Sequence, residues 1–196
     1  MAEVHSQYPS EKQIQDKFFH DFLARRSSVR VKNWTGWSYR KGRTHSEVSL
    51  FYREFDLAQF HIDGTGLVLS GYEVKGWRKV SIKGKEAKMV EPAFGDGLDQ
   101  ALALLEQGAD FASVIYPEPK KQEDKEVLKR LCDHFAPNIG IIYVQNDLTS
   151  FYDFRPPQHN LYTNIDRKKK MLSSLMTGGT FSDISELRPW AKQQKY

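Results

Sequence analysis

The sequence predicts an α/β (α+β) domain in which helices flank a mixed β-sheet, and three observations support this class. The chain has 196 residues, of which 39% are hydrophobic, and this suffices for one domain with a modest core. Segments with helical periodicity alternate with segments that have the period of a strand. The apolar run at residues 139 to 144 is typical of a central strand. Elements in this order pack as layers around one sheet.

The first predicted element is a helix over residues 11 to 24. Ser10 and Gln13 form a capping-box pattern at its start, and apolar residues recur at helical spacing from Ile14 onwards. A strand near residues 29 to 32 is expected next, followed by a loop.

A β-hairpin and a series of alternating helices and strands are expected to follow. Residues 47 to 62 and 67 to 77 alternate as strands do, and residues 63 to 66 have the composition of a hairpin turn. The later predicted elements are helices at residues 98 to 107 and 120 to 135 and strands at residues 111 to 117 and 139 to 144.

The chain is expected to contain one core domain with a tail. Residues 1 to 155 form the core in this interpretation, and residues 156 to 196 form a helical C-terminal extension that packs on the same domain. Within the extension, helices are predicted around residues 167 to 176 and 182 to 193.

Composition excludes several classes of function. Cys132 is the only cysteine, so neither an internal disulfide nor a cysteine-rich zinc site can form. The six histidines show no pair at metal-ligand spacing, and no motif for a nucleotide cofactor is present. The N-terminus has no apolar leader, and no segment approaches the roughly 20 apolar residues of a membrane span. We expect an intracellular, cytoplasmic protein without a membrane partner.

Two carboxylates are expected to meet across the hairpin. A turn at residues 63 to 66 places Asp56 directly opposite Glu73, and Lys75 shares their face because side chains alternate with period two. Like charges in this position destabilise a sheet unless something compensates them. A divalent cation would do so, since Mg²⁺ binds through one or two carboxylates together with water and phosphate oxygens.

The same three residues also allow a simpler interpretation, an ordinary mixed-charge cluster on a solvent-facing hairpin. The flanking residues argue against it, because Leu69 shares the parity of Glu73 and Ala58 that of Asp56. A face that begins apolar and ends charged is typical of a core that runs into a cleft. In such a cleft, Lys75 would position or deprotonate a water molecule, or neutralise charge in a transition state.

The segments Arg53-Glu54-Phe55-Asp56-Leu57 and Tyr72-Glu73-Val74-Lys75 resemble the PD-(D/E)XK motif of the restriction-endonuclease-like nucleases. This superfamily includes archaeal-type Holliday junction resolvases. The resemblance covers about residues 10 to 145, and it departs from the pattern in having no proline before Asp56. It implies a restriction-endonuclease-like core, Mg²⁺ (or Mn²⁺) as the cofactor, Asp56, Glu73 and Val74 as metal ligands, and Lys75 as a catalytic residue.

Two further residues match polar positions of the family. Glu11 corresponds to an acidic residue that some members carry on the first helix; alternatively it lies in a solvated first turn, favoured there by the helix dipole. Gln100 resembles a glutamine on the helix after Glu-x-Lys that supports the metal ligands or binds phosphate; alternatively it is a surface glutamine.

Basic residues interleaved with aromatic ones indicate a surface for nucleic acid. Residues 25 to 43 contain seven basic and no acidic residues, and here cations would contact phosphates while tryptophans stack on bases. The alternative is a solvated loop pinned to the core by two tryptophans. The basic run at residues 167 to 170 is interpreted as a solvated helix face. The residues assigned to nucleic-acid binding are Trp37, Arg40, Lys41, Arg43, Arg78 and Lys79.

These observations predict a metal-dependent deoxyribonuclease, an endonuclease of repair, recombination or restriction. DNA is the expected partner, and a homodimer is kept open beside a monomer. Two alternatives remain, a catalytically idle nucleic-acid-binding module of the same fold and an RNA-processing nuclease.

Overall fold

The computed structural model describes residues 8–23, 31–37, 55–63, 66–81, 87–93 and 95–161. Its helices are α1 (Glu11–Phe18), continued by a π-helical turn (Phe19–Leu23), α2 (Leu98–Glu106) and α3 (Gln122–Phe135). Its strands are β1 (Val31–Trp37), β2 (Phe55–Asp63), β3 (Gly66–Val74), β4 (Arg78–Val80), β5 (Lys88–Val90), β6 (Phe111–Pro117), β7 (Ile139–Val144) and β8 (Phe151–Arg155). Among these helices, none is long and apolar enough to cross a membrane.

Within the described ranges, six strands form one mixed sheet in the order β1-β2-β3-β6-β7-β8. The strands β1, β2 and β3 are antiparallel to one another. The strands β3, β6 and β7 are parallel, and β8 returns antiparallel to β7. The strands β4 and β5 pair only with each other, as a two-stranded ribbon. The predicted α/β class with a mixed sheet flanked by helices is confirmed.

Alternating residues of the central strands supply two separate hydrophobic cores, one on each face of the sheet. Ala58, Leu69 and Val114 pack with α2 and α3. Leu57 and Val74 point to the opposite face of the sheet, where they pack with α1. By this parity, the face that carries Ala58 and Leu69 is also the face of Asp56 and Glu73.

The N-terminus of α1 is fixed against the end of β3. The predicted capping box is confirmed, since Ser10 caps the helix and the Gln13 side chain returns to the Ser10 backbone. The Trp77 backbone N–H donates to the Pro9 carbonyl at 3.0 Å. A Cβ atom on Gly76 would lie 2.0 Å from the Glu11 backbone nitrogen, so this close approach requires glycine.

Four later elements have the predicted types and nearly the predicted bounds: α2, α3, β6 and β7. The hairpin register is also as predicted, with Ile62 opposite Leu67. The turn is shorter than expected, because pairing continues to Asp63 and Gly66. The predicted helix over residues 11 to 24 is α-helical only to Phe18.

Other predictions were wrong or incomplete. The loop predicted after residue 32 is the rest of β1, which extends to Trp37 because it pairs with β2 along its whole length. The strands β4, β5 and β8 were not predicted, since each has five residues or fewer. The strand start near residue 29, residues 47 to 54, the basic segment from 38 to 43, and the tail helices beyond residue 161 lie outside the described residues.

Gly76→Ala should destabilise the protein by about 3 kcal/mol, the upper end of ordinary overpacking, because the added methyl group meets helix backbone that cannot rotate away. Urea unfolding measures the change. Ser10→Ala is the comparison, since losing the helix cap alone costs about 1 kcal/mol. A Gly76→Ala variant no less stable than Ser10→Ala would contradict the close packing of α1 on β3.

Candidate active site

Asp56 and Glu73 come together where the β2–β3 hairpin meets the rest of the sheet. Leu57 on β2 lies opposite Tyr72 on β3. Continuing this antiparallel register by one residue, away from the turn, places Asp56 opposite Glu73. The Val74 backbone N–H donates to Asp56 Oδ2 at 2.7 Å, which ties the Asp56 carboxylate to the end of β3. The structure therefore brings both predicted carboxylates to one place on neighbouring strands.

Lys75 forms a buried ion pair with Glu73. Its ammonium donates to Glu73 Oε1 at 2.5 Å, and the two side chains are only 8% and 3% exposed. The start of α2 closes over this pair. A Cβ atom on Gly97 would lie 2.7 Å from Lys75 Cε and 3.2 Å from Glu73 Cγ, and the positive φ of 89° at this residue also favours glycine.

The surroundings of Glu73 oppose its negative charge. Burial raises the pKa of the Glu73 carboxyl from 4.5 to about 7, and the neighbouring charge of Asp56 is the next largest cause. The hydrogen bond and the charge of Lys75 lower this pKa, and Glu11 raises it slightly. Lys75 therefore compensates the two carboxylates only in part.

A backbone oxygen faces the same side as the carboxylates. The Lys75 backbone N–H donates to the Ile115 carbonyl on β6 at 2.9 Å. Because the N–H and C=O of a trans peptide point in opposite directions, the Val74 carbonyl is directed away from β6, towards β2. This is the side on which Asp56 lies.

These groups suit a hard divalent cation. No group of three or more His, Cys, Asp or Glu side chains within the described ranges is arranged to hold a metal. Mg²⁺ needs no such group, because it is bound through one or two carboxylates, with water and phosphate oxygens completing an octahedron. A cation between Asp56 and Glu73 would also compensate the charge of Asp56, which adds to the effect of burial in raising the pKa of Glu73. The two carboxylates and the Val74 carbonyl therefore fit Mg²⁺ or Mn²⁺.

The two secondary candidates lie at the ends of the helices that border the site. Glu11 is the first residue of α1 and is exposed, as in the solvated-turn alternative, yet its charge still acts on Glu73. Gln100 is partly buried and lies in the first turn of α2, three residues after Gly97.

The structure describes only some of the residues predicted to bind nucleic acid. Arg78 and Lys79 lie on the exposed strand β4, which begins three residues after Lys75. Arg78 is held by an ion pair with Asp96 at 3.0 Å. Trp37 ends β1 opposite Phe55, so its backbone lies next to the start of the Asp56 strand. Arg40, Lys41 and Arg43 lie outside the described residues.

Sequence reasoning missed three residues that shape the site, namely Tyr116, Asp96 and Gly97. The Tyr116 hydroxyl donates to the Asp96 carbonyl, and this contact holds the segment that leads to Gly97. Two glycines directly before a predicted helix were a visible signal for a close backbone approach. No feature of the sequence distinguished Tyr116 from an ordinary core residue of β6.

Comparison with known proteins does not assign this chain to a family. No family model matches it, and no curated protein matches it significantly. A functional assignment therefore depends on the geometry of the site.

The Glu73 pKa predicts an unusual dependence of stability on pH in metal-free protein. Because the folded-state pKa of about 7 exceeds the ordinary value of 4.5, the folded state binds more protons between these pH values, and stability falls as pH rises. Relative to Glu73→Gln, the wild-type free energy of unfolding should fall by on the order of 2–3 kcal/mol between pH 5 and 8. Urea unfolding in EDTA measures it.

Glu118→Gln is the matched control, since Glu118 also pairs with a lysine, at 2.5 Å. Hydrogen bonds from Lys125 and Tyr152 lower the pKa of Glu118. Its contribution to stability is therefore lost only below about pH 4.5 and should stay constant between pH 5 and 8. A constant difference for Glu73→Gln as well would show that Glu73 is not held in a charge-opposing environment.

Proposed function

We propose that this protein is a divalent-metal-dependent nuclease that hydrolyses DNA phosphodiester bonds, with Asp56, Glu73 and Lys75 as its catalytic residues. The observation that carries the proposal is the meeting of the Asp56 and Glu73 carboxylates on paired strands beside a buried lysine ammonium. A buried ion pair contributes little net stability in general. This arrangement is better explained by chemistry than by folding.

Each residue has a task in phosphodiester hydrolysis. Asp56 and Glu73, with the Val74 carbonyl, would hold the cation. When bound, Mg²⁺ supplies a Lewis acid that polarises the phosphoryl group and lowers the pKa of a nearby water. Lys75 directs a desolvated ammonium group into the same cleft, where it orients the attacking water or neutralises charge on the phosphoryl oxygens.

The order of elements supports a place among the restriction-endonuclease-like nucleases. The motif resemblance implies a first helix with an acidic residue, a hairpin with the catalytic residues, a second helix and a buried parallel strand. The chain has α1 with Glu11, the β2–β3 hairpin, α2 with Gln100, and β6 in that order. A junction resolvase is the sharpest form of this proposal.

Asp56→Asn, Glu73→Gln and Lys75→Ala should each lower cleavage by roughly 10²- to 10³-fold or more, because each removes charge stabilisation at the reacting phosphate. Binding should remain largely intact, since the basic residues predicted to contact the other phosphates of the strand are unchanged in these variants. Cleavage is measured on linear, nicked, branched and single-stranded DNA, in Mg²⁺ and in EDTA, with circular dichroism as the folding check.

Asp133→Asn is the matched control for Asp56→Asn. Asp133 accepts hydrogen bonds from Lys129 and Arg155 at 2.8 and 3.0 Å, near the end of α3 and the start of β7. Because β7 is parallel to β3, the start of β7 lies at the opposite end of the strands from Asp56 and Glu73. Cleavage by Asp133→Asn should therefore equal that by the wild-type protein. Undiminished Mg²⁺-dependent cutting by Asp56→Asn, or cutting in EDTA, would remove the proposal.

A further inference from the structure

A cavity of about 260 Å³ lies beside the candidate active site. Its walls are residues 91 to 93 and Gly95, the C-terminal end of β6, and the first two turns of α3. The volume is just below the roughly 300–1,000 Å³ of typical small-molecule pockets. A ligand of one or two rings would fill it.

Tyr116 connects this cavity with the surroundings of Glu73. Tyr116 lines the cavity; burial is the main cause of the raised pKa of its hydroxyl, and the charge of Glu73 makes a smaller contribution. The strands β3 and β6 are parallel, so their carboxyl ends reach the same edge of the sheet. Ligands of open α/β sheets commonly bind at this edge.

The polar groups of the cavity specify what a ligand must offer. Glu91 and Asp124 supply carboxylate oxygens, and burial, together with the charge of Asp124, raises the pKa of Glu91. The Tyr143 hydroxyl is buried and has no hydrogen-bond partner among the described residues. A complementary ligand therefore donates N–H groups to the acids and accepts one hydrogen bond from the tyrosine.

The apolar walls and the negative charge of the cavity restrict the class of ligand further. Pro92, Pro117 and Pro119 join Tyr116 in forming rigid apolar surfaces, which suit a flat ring. Two carboxylates repel phosphate, so the ligand's phosphate must remain outside. Nucleobases with an amino group beside a ring or carbonyl acceptor meet these conditions, as adenine, cytosine and guanine do. Acidic side chains commonly accept from such amino groups.

We propose that this cavity binds an amino-bearing nucleobase swung out of a nucleic-acid strand. The role of the base within a strand rests on the proposed nuclease function, because the strand's phosphate would occupy the neighbouring Asp56–Glu73 centre. Enzymes that extrude a base read its hydrogen-bonding edge and stack its ring against apolar side chains. The cavity offers both kinds of contact, and it shares Tyr116 with the surroundings of Glu73.

The first test is an NMR titration of the whole, metal-free protein with the free 2′-deoxynucleosides. Deoxycytidine, deoxyadenosine and deoxyguanosine should shift the backbone signals of Glu91 and Asp124. Thymidine lacks the amino group and should bind at least tenfold more weakly, because it leaves the carboxylates of Glu91 and Asp124 without that hydrogen-bond donor. Equal binding of thymidine, or shifts confined to other surfaces, would overturn the proposal.

The second test removes a single hydroxyl. Tyr143→Phe should weaken binding of the preferred nucleoside by roughly five- to tenfold, and it should leave folding stability unchanged or raised, because this hydroxyl has no hydrogen-bond partner to lose in the described part of the chain. Tyr152→Phe is the control. Its hydroxyl bonds Glu118 and Lys125 at 2.8 and 3.0 Å, so its loss should lower stability and leave nucleoside binding unchanged. Unchanged binding by Tyr143→Phe would overturn the proposal.

The two proposals fail separately. Nucleoside binding is measured without metal and without cleavage, so it can succeed even if Asp56→Asn cuts DNA as wild type does. Such a result would support the base site and remove the nuclease assignment. Metal-dependent cleavage without nucleoside binding would support the nuclease and overturn the base site.

Discussion

The juxtaposition of Asp56 and Glu73 at the end of the hairpin is the interaction on which the surrounding structure depends. Burial opposes the negative charge of Glu73, the charge of the partly buried Asp56 adds to this, and Lys75 offsets only part of the effect, so the pKa of Glu73 remains raised. A protein selected for stability alone would replace such a cluster with apolar residues at little cost. The fold retains it and encloses it, which is the behaviour expected of a site that receives a cation.

Two glycines allow the enclosure. Gly76 admits the first turn of α1 to one side of the β3 terminus, and Gly97 admits the first turn of α2 to the other. Each glycine replaces a side chain that would otherwise contact the helix backbone or the Glu73–Lys75 pair. The C-terminal end of β3 is therefore held between two helix N-termini, whose partial positive charge favours anionic groups nearby. This placement is consistent with a site for carboxylates and phosphate.

The relative placement of Asp56, Glu73 and Lys75 could be predicted from the sequence, because the alternation of side chains along a hairpin is a local property. Once the turn was located, alternation alone placed Asp56 opposite Glu73 with Lys75 on the same face, and the observed register agrees. The full length of β1 was not predictable, since its pairing with β2 is a long-range contact without a strong alternating pattern of its own. The same holds for β8. The cavity that Tyr116 borders forms where three elements that are distant in sequence meet. Neither the cavity nor the role of Tyr116 could therefore be predicted from a local sequence pattern.

The most direct measurement is an anomalous difference map from crystals grown with Mn²⁺. We expect a peak between the Asp56 and Glu73 carboxylates, at about 2 Å from an oxygen of each, and the loss of that peak in Asp56→Asn. Lys75 Nζ should lie near the peak without coordinating it. A map with manganese bound only at other carboxylates, or with Asp56 and Glu73 directed to opposite faces of the sheet, would contradict the account.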